Sequence, residues 1–200
     1  MLLDQAEVDQ MALDEAAMPS SVRELGSVLQ RKRVALIAER AVLAGPGDII
    51  EIGVLSGGTS MLLAPIASKY GRRFVAVDNW PTNIINHEQY RLDLCEQQFH
   101  ENVRPWGYCV DVWRADAHAP ETLEKIKAGT YSFAFSDDGH LFDDHLKELR
   151  ALLPSTSGIV CVDDVYLPEV RQAIEAAIGE FPAWTVLYGA GLREAWMVRV

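Results

Sequence analysis

Apolar positions along this chain follow two rhythms. Short, nearly unbroken apolar runs recur near 48–53, 74–78, 108–114, 131–137 and 158–163, and such runs suit parallel strands covered on both faces. Between most of them the apolar positions repeat with helical spacing, and this alternation predicts a doubly wound parallel sheet. Ahead of the first run, Val28, Leu29, Val34, Leu36, Ile37 and Val42 keep the helical rhythm. With Ser21-Val22-Arg23-Glu24 as a capping box, they predict one long helix ended at Gly45-Pro46-Gly47. Residues up to about Pro19 form a weakly amphipathic acidic segment, helical or frayed. At the far end, Val170 to Ile178 reads as a helix, and Trp184–Tyr188 and Ala195–Val200 read as strands joined through Gly189-Ala190-Gly191. Two strands so close in sequence pair antiparallel.

A chain of 200 residues, 49% of them hydrophobic, is long enough for one sizeable core. No apolar run approaches the ~20 residues of a membrane span, and the start Met1-Leu2-Leu3-Asp4-Gln5-Ala6-Glu7 is acidic where a secretory signal would be basic. A cytoplasmic protein without a membrane partner is expected. The formal net charge of −11 opposes binding to a polyanion, so nucleic acid is not an expected partner. Arg31-Lys32-Arg33 is the compact basic triplet, and on a helix it reads as solvated surface. Cys95, Cys109 and Cys161 lack a Cys-x-x-Cys spacing, which argues against a disulfide framework or a thiolate zinc site. Cys161, inside an apolar run, reads as core.

Chemistry concentrates first at Ile49-Ile50-Glu51-Ile52-Gly53-Val54-Leu55-Ser56-Gly57, followed by Phe74-Val75-Ala76-Val77-Asp78. This reads as strand, glycine turn, helix, and a second strand ending in a carboxylate. Glycines let the backbone approach a ligand closely, and an acid at the second strand's tip can accept hydrogen bonds from a ribose diol. The turn is Gly53-x-x-x-Gly57-Gly58, not the Gly-x-Gly-x-x-Gly that cradles a dinucleotide pyrophosphate. Glu51 beside it repels phosphate and attracts a cation such as an amino group or a sulfonium.

This pattern resembles motif I of the class I methyltransferases that use S-adenosylmethionine. The resemblance spans residues 48–200 and implies a Rossmann-like, doubly wound α/β fold: a seven-stranded, mostly parallel sheet with an antiparallel last strand and helices on both faces. It divides the chain into an N-terminal helical appendage, 1–44, serving as a cap or as a dimer or substrate element, and a cofactor-binding domain, 45–200. It further implies that Gly53, Ser56 and Gly57 line the methionine portion of the cofactor, that Asp78 holds the ribose, and that Asp116 meets the adenine amino group. Glu51, Ser60, Asn79, Ala117 and Asp137 complete the implied cofactor set. From the residues alone, Asp116 serves equally as a helix N-cap.

Ligands of open α/β sheets bind outside the carboxyl ends of the strands, and acids gather along this sheet: Asp48 before the first strand, Asp78, Asp116, Asp137-Asp138 and Asp163-Asp164 at strand ends. The fourth and fifth strands flank the sheet centre and bring Asp137, Asp163 and Asp164 together. Two like charges ~4 Å apart repel by about 4 kcal/mol at an effective dielectric of about 20. Something positive should sit between them. A hard divalent cation, magnesium first and manganese or calcium after it, meets that need; a protonated acid or a helix cap is the alternative. Phe135-Ser136-Asp137-Asp138-Gly139-His140 with Val162-Asp163-Asp164 resembles the metal-dependent O-methyltransferases of the macrocin and mycinamicin type and their cephalosporin-hydroxylase-like relatives. That resemblance implies Asp137, Asp163 and Asp164 as metal ligands and His140, with Asp137, as the catalytic pair, His140 being the base. Here Asp-Asp-Gly-His replaces the family's Asp-Gly-Asp-His, which leaves Asp138 without an assigned role.

The expected reaction is O-methylation of a small molecule, a sugar, catechol or other diol able to chelate the metal. A metal-free transferase using His140 or His87 as base and a non-catalytic nucleoside-binding protein remain as alternatives. An NAD-dependent dehydrogenase lacks both its glycine spacing and a Tyr-x-x-x-Lys pair here. Residues 81–108, with Trp80, His87, Tyr90, His100 and Trp106 in or beside them, read as part helix and either a lid or a packed surface helix. A homodimer through the apolar face of the 21–44 helix is open.

Overall fold

The computed structural model describes residues 3–17, 26–80 and 92–200. The capping box at Ser21–Glu24, together with His87 and Tyr90, lies outside them. In chain order the elements are α1 (Gln5–Ala17), α2 (Gly26–Ala44), β1 (Asp48–Ile52), α3 (Ser60–Lys69), β2 (Phe74–Asp78), α4 (Leu92–Val103), β3 (Val110–Arg114), α5 (Pro120–Lys127), β4 (Tyr131–Ser136), α6 (Phe142–Ser155), β5 (Thr156–Val162), α7 (Pro168–Glu180), β6 (Trp184–Tyr188) and β7 (Ala195–Arg199). A short 3-10 turn at Arg104–Trp106 follows α4. No helix among the described residues is long and apolar enough to cross a membrane.

The strands form one seven-stranded sheet in the order β3-β2-β1-β4-β5-β7-β6. β1 to β5 run parallel, and β7 lies antiparallel between β5 and β6. Successive strand residues face opposite sides, and the core divides accordingly. Ile49, Phe74, Ala76, Phe133 and Ile159 pack with Val8 of α1, Val34, Ile37 and Ala41 of α2, Leu63 of α3 and Phe99 of α4. Ile50, Ile52, Val75, Val77, Ala134 and Val160 pack with Ile126 of α5, Leu149 and Leu152 of α6 and Ile174 of α7. The N-terminal helices thus share the apolar layer of the sheet. Cys161 is buried there, as its run suggested. Phe99 and Cys95 of α4 are buried in the same layer, with Trp106 packed against it.

Strand order reverses between β1 and β4, and such a switch point opens a crevice at the carboxyl ends of the strands. Three backbone bonds fix that rim: Gly53 N–H donates to Val77 O at 2.9 Å, Asp137 N–H to Ile52 O at 2.9 Å, and Asp163 N–H to Ser136 O at 3.0 Å. Asp48 belongs to the opposite edge. It begins β1 and accepts bonds from Arg73 N at 2.9 Å and Nε at 2.8 Å, so its place in the acidic row is corrected: a residue that precedes a parallel strand sits at the far end from the crevice.

Candidate active site

A cavity of about 550 Å³ fills the switch-point crevice. Glu51, Gly53 and Ser56 contribute from the first strand and turn, Asp78 and Asn79 from the second, and Asp116 from the third. Asp137, His140, Asp163 and Asp164 close the other side. Of the cofactor set read from the sequence, Gly57, Ser60 and Ala117 stand outside the lining. Gly57 has φ +79 and packs under Phe99; Ser60 and Ala117 are buried.

The turn is shaped for close approach. Gly53 has φ +81, and a Cβ there would run into the Asp137 carbonyl at a separation no real side chain shows. Leu55, Trp80 and Asp164 adopt positive φ of 49°, 40° and 53°, the non-glycine residues among those described that do so. All three line the cavity. Backbone strain of this kind costs about 1–3 kcal/mol per residue and gathers where a ligand is held.

Asp78 accepts Leu55 N–H of the glycine turn at 2.8 Å and Trp80 N–H, two residues beyond it, at 2.7 Å, so its carboxylate is oriented from both the first and the second strand end. Trp80 is fixed in turn by its indole N–H, donated to Leu55 O at 2.7 Å. Burial pushes the Glu51 carboxyl up to about 8, against the hydrogen bond it accepts from Ser60 Oγ at 2.6 Å. The fixed negative charge expected at Glu51 is therefore corrected: the carboxyl mostly keeps its proton at neutral pH, because desolvation outweighs its polar contacts. Asp116 is more than half exposed and accepts His118 N–H at 2.9 Å. It caps that two-residue turn; the N-cap of α5 is Ala119.

Asp137, Asp163 and Asp164 do meet at one rim. Burial, then the charges of Asp163, Asp164 and Glu51, hold the Asp137 carboxyl well above the carboxylate range. Asp163 accepts the Gln30 amide at 2.6 Å and Asp164 N–H at 2.7 Å. Asp164 pairs with Arg193 through one oxygen and with His140 Nε2 at 2.7 Å through the other. Burial works against ionisation of Asp164, but these two cationic partners hold it at about 2. The hydrogen bond to Asp164 raises His140 in return. Part of the positive charge that the sequence demanded is thus protein, from Arg193 and His140.

By donor chemistry three carboxylates suit a hard cation, but Asp137, Asp163 and Asp164 do not bring three ligand atoms as close together as the neighbouring set does. A compact ligand set among the described residues lies next to them: His118, Asp138 and Glu148, whose ligand atoms are all within 4.8 Å of one another. His118 Nε2 is 2.7 Å from Glu148 Oε1, and Ser136 Oγ donates to Glu148 Oε2 at 2.6 Å. The Glu148 bond lifts His118 to about 9, and burial lifts Asp138 to about 6. Asp138, unassigned in sequence, is here a wall of the cavity.

Gln30, Arg31, Trp80, His118 and Arg193 line the cavity as well; sequence reading passed over Gln30, His118 and Arg193, and noted Trp80 only with the aromatics of the 81–108 segment. The solvated-surface reading of Arg31-Lys32-Arg33 is corrected. Only Lys32 is exposed, while Arg31 turns into the cavity and Arg33 pairs with buried Glu194. For His118 a signal existed, two residues after Asp116; for Gln30 and Arg193 none did.

A nucleoside-sized crevice with a glycine turn, a ribose-type acid and a switch-point sheet defines a Rossmann-like transferase of the kind that takes an adenosyl cofactor. The comparisons agree. A family model described as a methyltransferase domain matches residues 50–165, and the chain belongs to that methyltransferase family. Similar solved structures include CalS11, a TDP-rhamnose 3'-O-methyltransferase of calicheamicin biosynthesis, with TM-score 0.61, 18% identity and coverage of 97% of this chain and 93% of that one. TomG of Streptomyces achromogenes, an O-methyltransferase of tomaymycin synthesis in complex with S-adenosylmethionine, has TM-score 0.60, 16% identity and coverage of 98% and 88%. The methyltransferase PaMTH1 of Podospora anserina, bound to S-adenosylhomocysteine, has TM-score 0.61, 15% identity and coverage of 96% and 86%. A search of curated proteins finds no match. The protein is thus a methyltransferase by family.

Proposed function

We propose that this methyltransferase methylates a hydroxyl of a small molecule, a sugar, catechol or similar diol, with the help of a divalent cation, magnesium first. The observation that carries the reading is the meeting of Asp137, Asp163 and Asp164 at one rim, where burial first and the neighbouring charges after it push the Asp137 carboxyl well above the usual range, with His140 bonded to Asp164 at 2.7 Å. The similar structures named as O-methyltransferases lend support at the level of fold.

In this reading Asp78 takes the ribose diol, with Asn79 beside it. Asp116 takes the adenine amino group, and Gly53, Ser56 and Gly57 admit the methionine portion, with Glu51 and Ser60 behind them. S-adenosylmethionine, when bound, supplies the methyl group as a sulfonium. A cation, held by Asp137, Asp163 and Asp164, would supply Lewis acidity that lowers the pKa of an acceptor hydroxyl. His140 is the general base. Asp164 orients its ring through Nε2, and once neutral the imidazole can take the hydroxyl proton. Transfer from a sulfonium releases a neutral thioether, so the leaving group needs no acid. What remains for the protein is to align the partners and exclude water. Helices α1 and α2, the 1–44 portion, would cap the acceptor side, since Gln30 and Arg31 of α2 already reach the cavity.

A second reading rests on Arg193, whose pairing with Asp164 supplies a cation from the chain itself. The protein would then work without metal, with His140 alone. Turnover of labelled S-adenosylmethionine on sugar and catechol acceptors separates the two. Loss in excess EDTA, recovery with Mg2+ and loss in Asp163→Ala support the metal; unchanged turnover in EDTA supports Arg193.

A further inference from the structure

Among the charged groups facing the cavity, Arg31 stands apart. The pocket is lined by Glu51, Asp78, Asp116, Asp137, Asp138, Asp163 and Asp164, against which the arginines are Arg31 and Arg193. Arg193 is committed to Asp164. Arg31 has no hydrogen-bond or ion-pair partner among the described residues, whereas Arg33, two positions on, is paired with Glu194. An unpaired guanidinium in an acid-rich pocket is available to an anion that enters.

Its position narrows which anion. A Cβ built on Gly58 would lie 2.5 Å from Arg31 Cζ and 2.6 Å from Nη2, so the guanidinium rests against the bare Cα of the glycine turn. This gives the second glycine of Gly57-Gly58 a reason of its own: any larger residue would displace the arginine head. Glu51 lines the same cavity, close enough for the Arg31 charge to act on its carboxyl. An acid and an unpaired base in one cavity match the two ends of an α-amino acid: the carboxylate to Arg31, and the ammonium to Glu51, whose ionised form an entering cation would favour. A planar guanidinium can hold a carboxylate through two parallel hydrogen bonds.

We propose that Arg31, seated on Gly58, is the carboxylate receptor for the amino-acid end of the cofactor, and that α2 therefore determines cofactor specificity as well as covering the acceptor side. This rests on the S-adenosylmethionine reading of the cavity. A carboxylate on an acidic acceptor is the other source of the same chemistry.

Calorimetric titration of the full chain distinguishes them, with S-adenosylhomocysteine, decarboxylated S-adenosylmethionine and 5'-methylthioadenosine as probes. One charge-assisted contact corresponds to about 10- to 100-fold in affinity. Arg31→Ala should weaken S-adenosylhomocysteine by that factor, with decarboxylated S-adenosylmethionine and 5'-methylthioadenosine changed less than about 3-fold. Arg31→Lys should recover part of the loss. Gly58→Ala, which keeps the charge but pushes the head aside, should weaken S-adenosylhomocysteine several-fold. Equal losses for all three probes, or unchanged binding of S-adenosylhomocysteine, overturn the assignment. Unchanged cofactor binding with a raised KM for an acidic acceptor overturns it in favour of that acceptor. If the wild-type chain binds none of the probes, the cofactor reading itself fails and the Arg31 assignment falls with it, a result distinct from selective loss in the variants.

Discussion

Glu51 offers the most quantitative test of the site's electrostatics. Its carboxyl is buried and held at about 8 instead of the ordinary 4.5, with burial the main cause. A carboxyl whose folded pKa lies above its unfolded value keeps its proton in the fold while the unfolded chain has lost it. Stability is therefore highest below the unfolded pKa and falls as pH rises, until the folded group also ionises. At 1.36 kcal/mol per pKa unit the full effect is about 5 kcal/mol, and about 3 kcal/mol of it falls between about pH 5.5 and pH 8.5. Glu51→Gln keeps the shape and removes the titration. Urea unfolding of both proteins across that window should show the variant gaining about 3 kcal/mol relative to wild type as pH rises, on top of any constant offset from the altered Ser60 bond. Taking the difference cancels other groups that titrate in the same range. A difference independent of pH would mean that Glu51 is ionised and solvated, and that the pocket floor is wetter than its burial indicates.

Gly53→Ala places a Cβ against the Asp137 carbonyl at φ +81, so a loss of about 3 kcal/mol or more in urea unfolding is expected, with cofactor binding lost even at low temperature. His118→Ala removes the nearest cationic partner of the fully buried Glu148, leaving it Ser136 and His145, and should cost about 2–3 kcal/mol, much of which Glu148→Gln added to it should return. The His118 contribution, with its folded pKa of about 9 above the ordinary 6.5, is complete below about pH 6.5 and fades as pH rises through about 9; a pH-independent cost in thermal melts would refute the pair. His140→Gln should lower kcat by about 10²- to 10⁴-fold and leave stability within about 0.5 kcal/mol, the side chain being 56% exposed. In wild type the rising limb of the rate profile should lie above the ordinary histidine value, because Asp164 raises His140; full turnover by the variant removes it as base.

The sheet was legible because a parallel strand buried on both faces has little choice of residue. Ile49-Ile50-Glu51-Ile52 and Phe74-Val75-Ala76-Val77 carry their burial in their composition, and the structure buries all eight. The strand-end acids were legible for a related reason: a carboxylate after an apolar run at a crevice has no packing role to explain it. Reading failed where a site residue arrives from elsewhere in the chain. Arg31-Lys32-Arg33 has the composition of a wet helix face, yet Glu194, its partner for Arg33, lies 161 positions away. Arg193 reaches Asp164 across 29 residues. Nor does any residue type announce the positive φ of Leu55, Trp80 and Asp164, which ordinary side chains avoid.

These failures share a cause with function. Positions fixed by local periodicity build the scaffold, and the same periodicity would recur on any doubly wound sheet. What distinguishes this site is set by pairs that close only when the sheet has formed: Gln30 with Asp163, His140 and Arg193 with Asp164, His118 with Glu148. Each joins a segment outside the glycine turn to a strand end or to the helix behind it, and each leaves its carboxylate with one arrangement of partners. The cofactor side, built from contiguous motifs, should therefore tolerate changes in α2 and in the β6–β7 turn except at Arg31. The acid rim should not, because Arg193 and Gln30 are the groups that keep Asp163 and Asp164 compensated. Substituting Arg193 by Met leaves Asp164 with His140 alone, and the rim then gains from any added cation. A rise in thermal midpoint with Mg2+ larger in Arg193→Met than in wild type is the expected sign; an equal response in both would separate the cation from this rim.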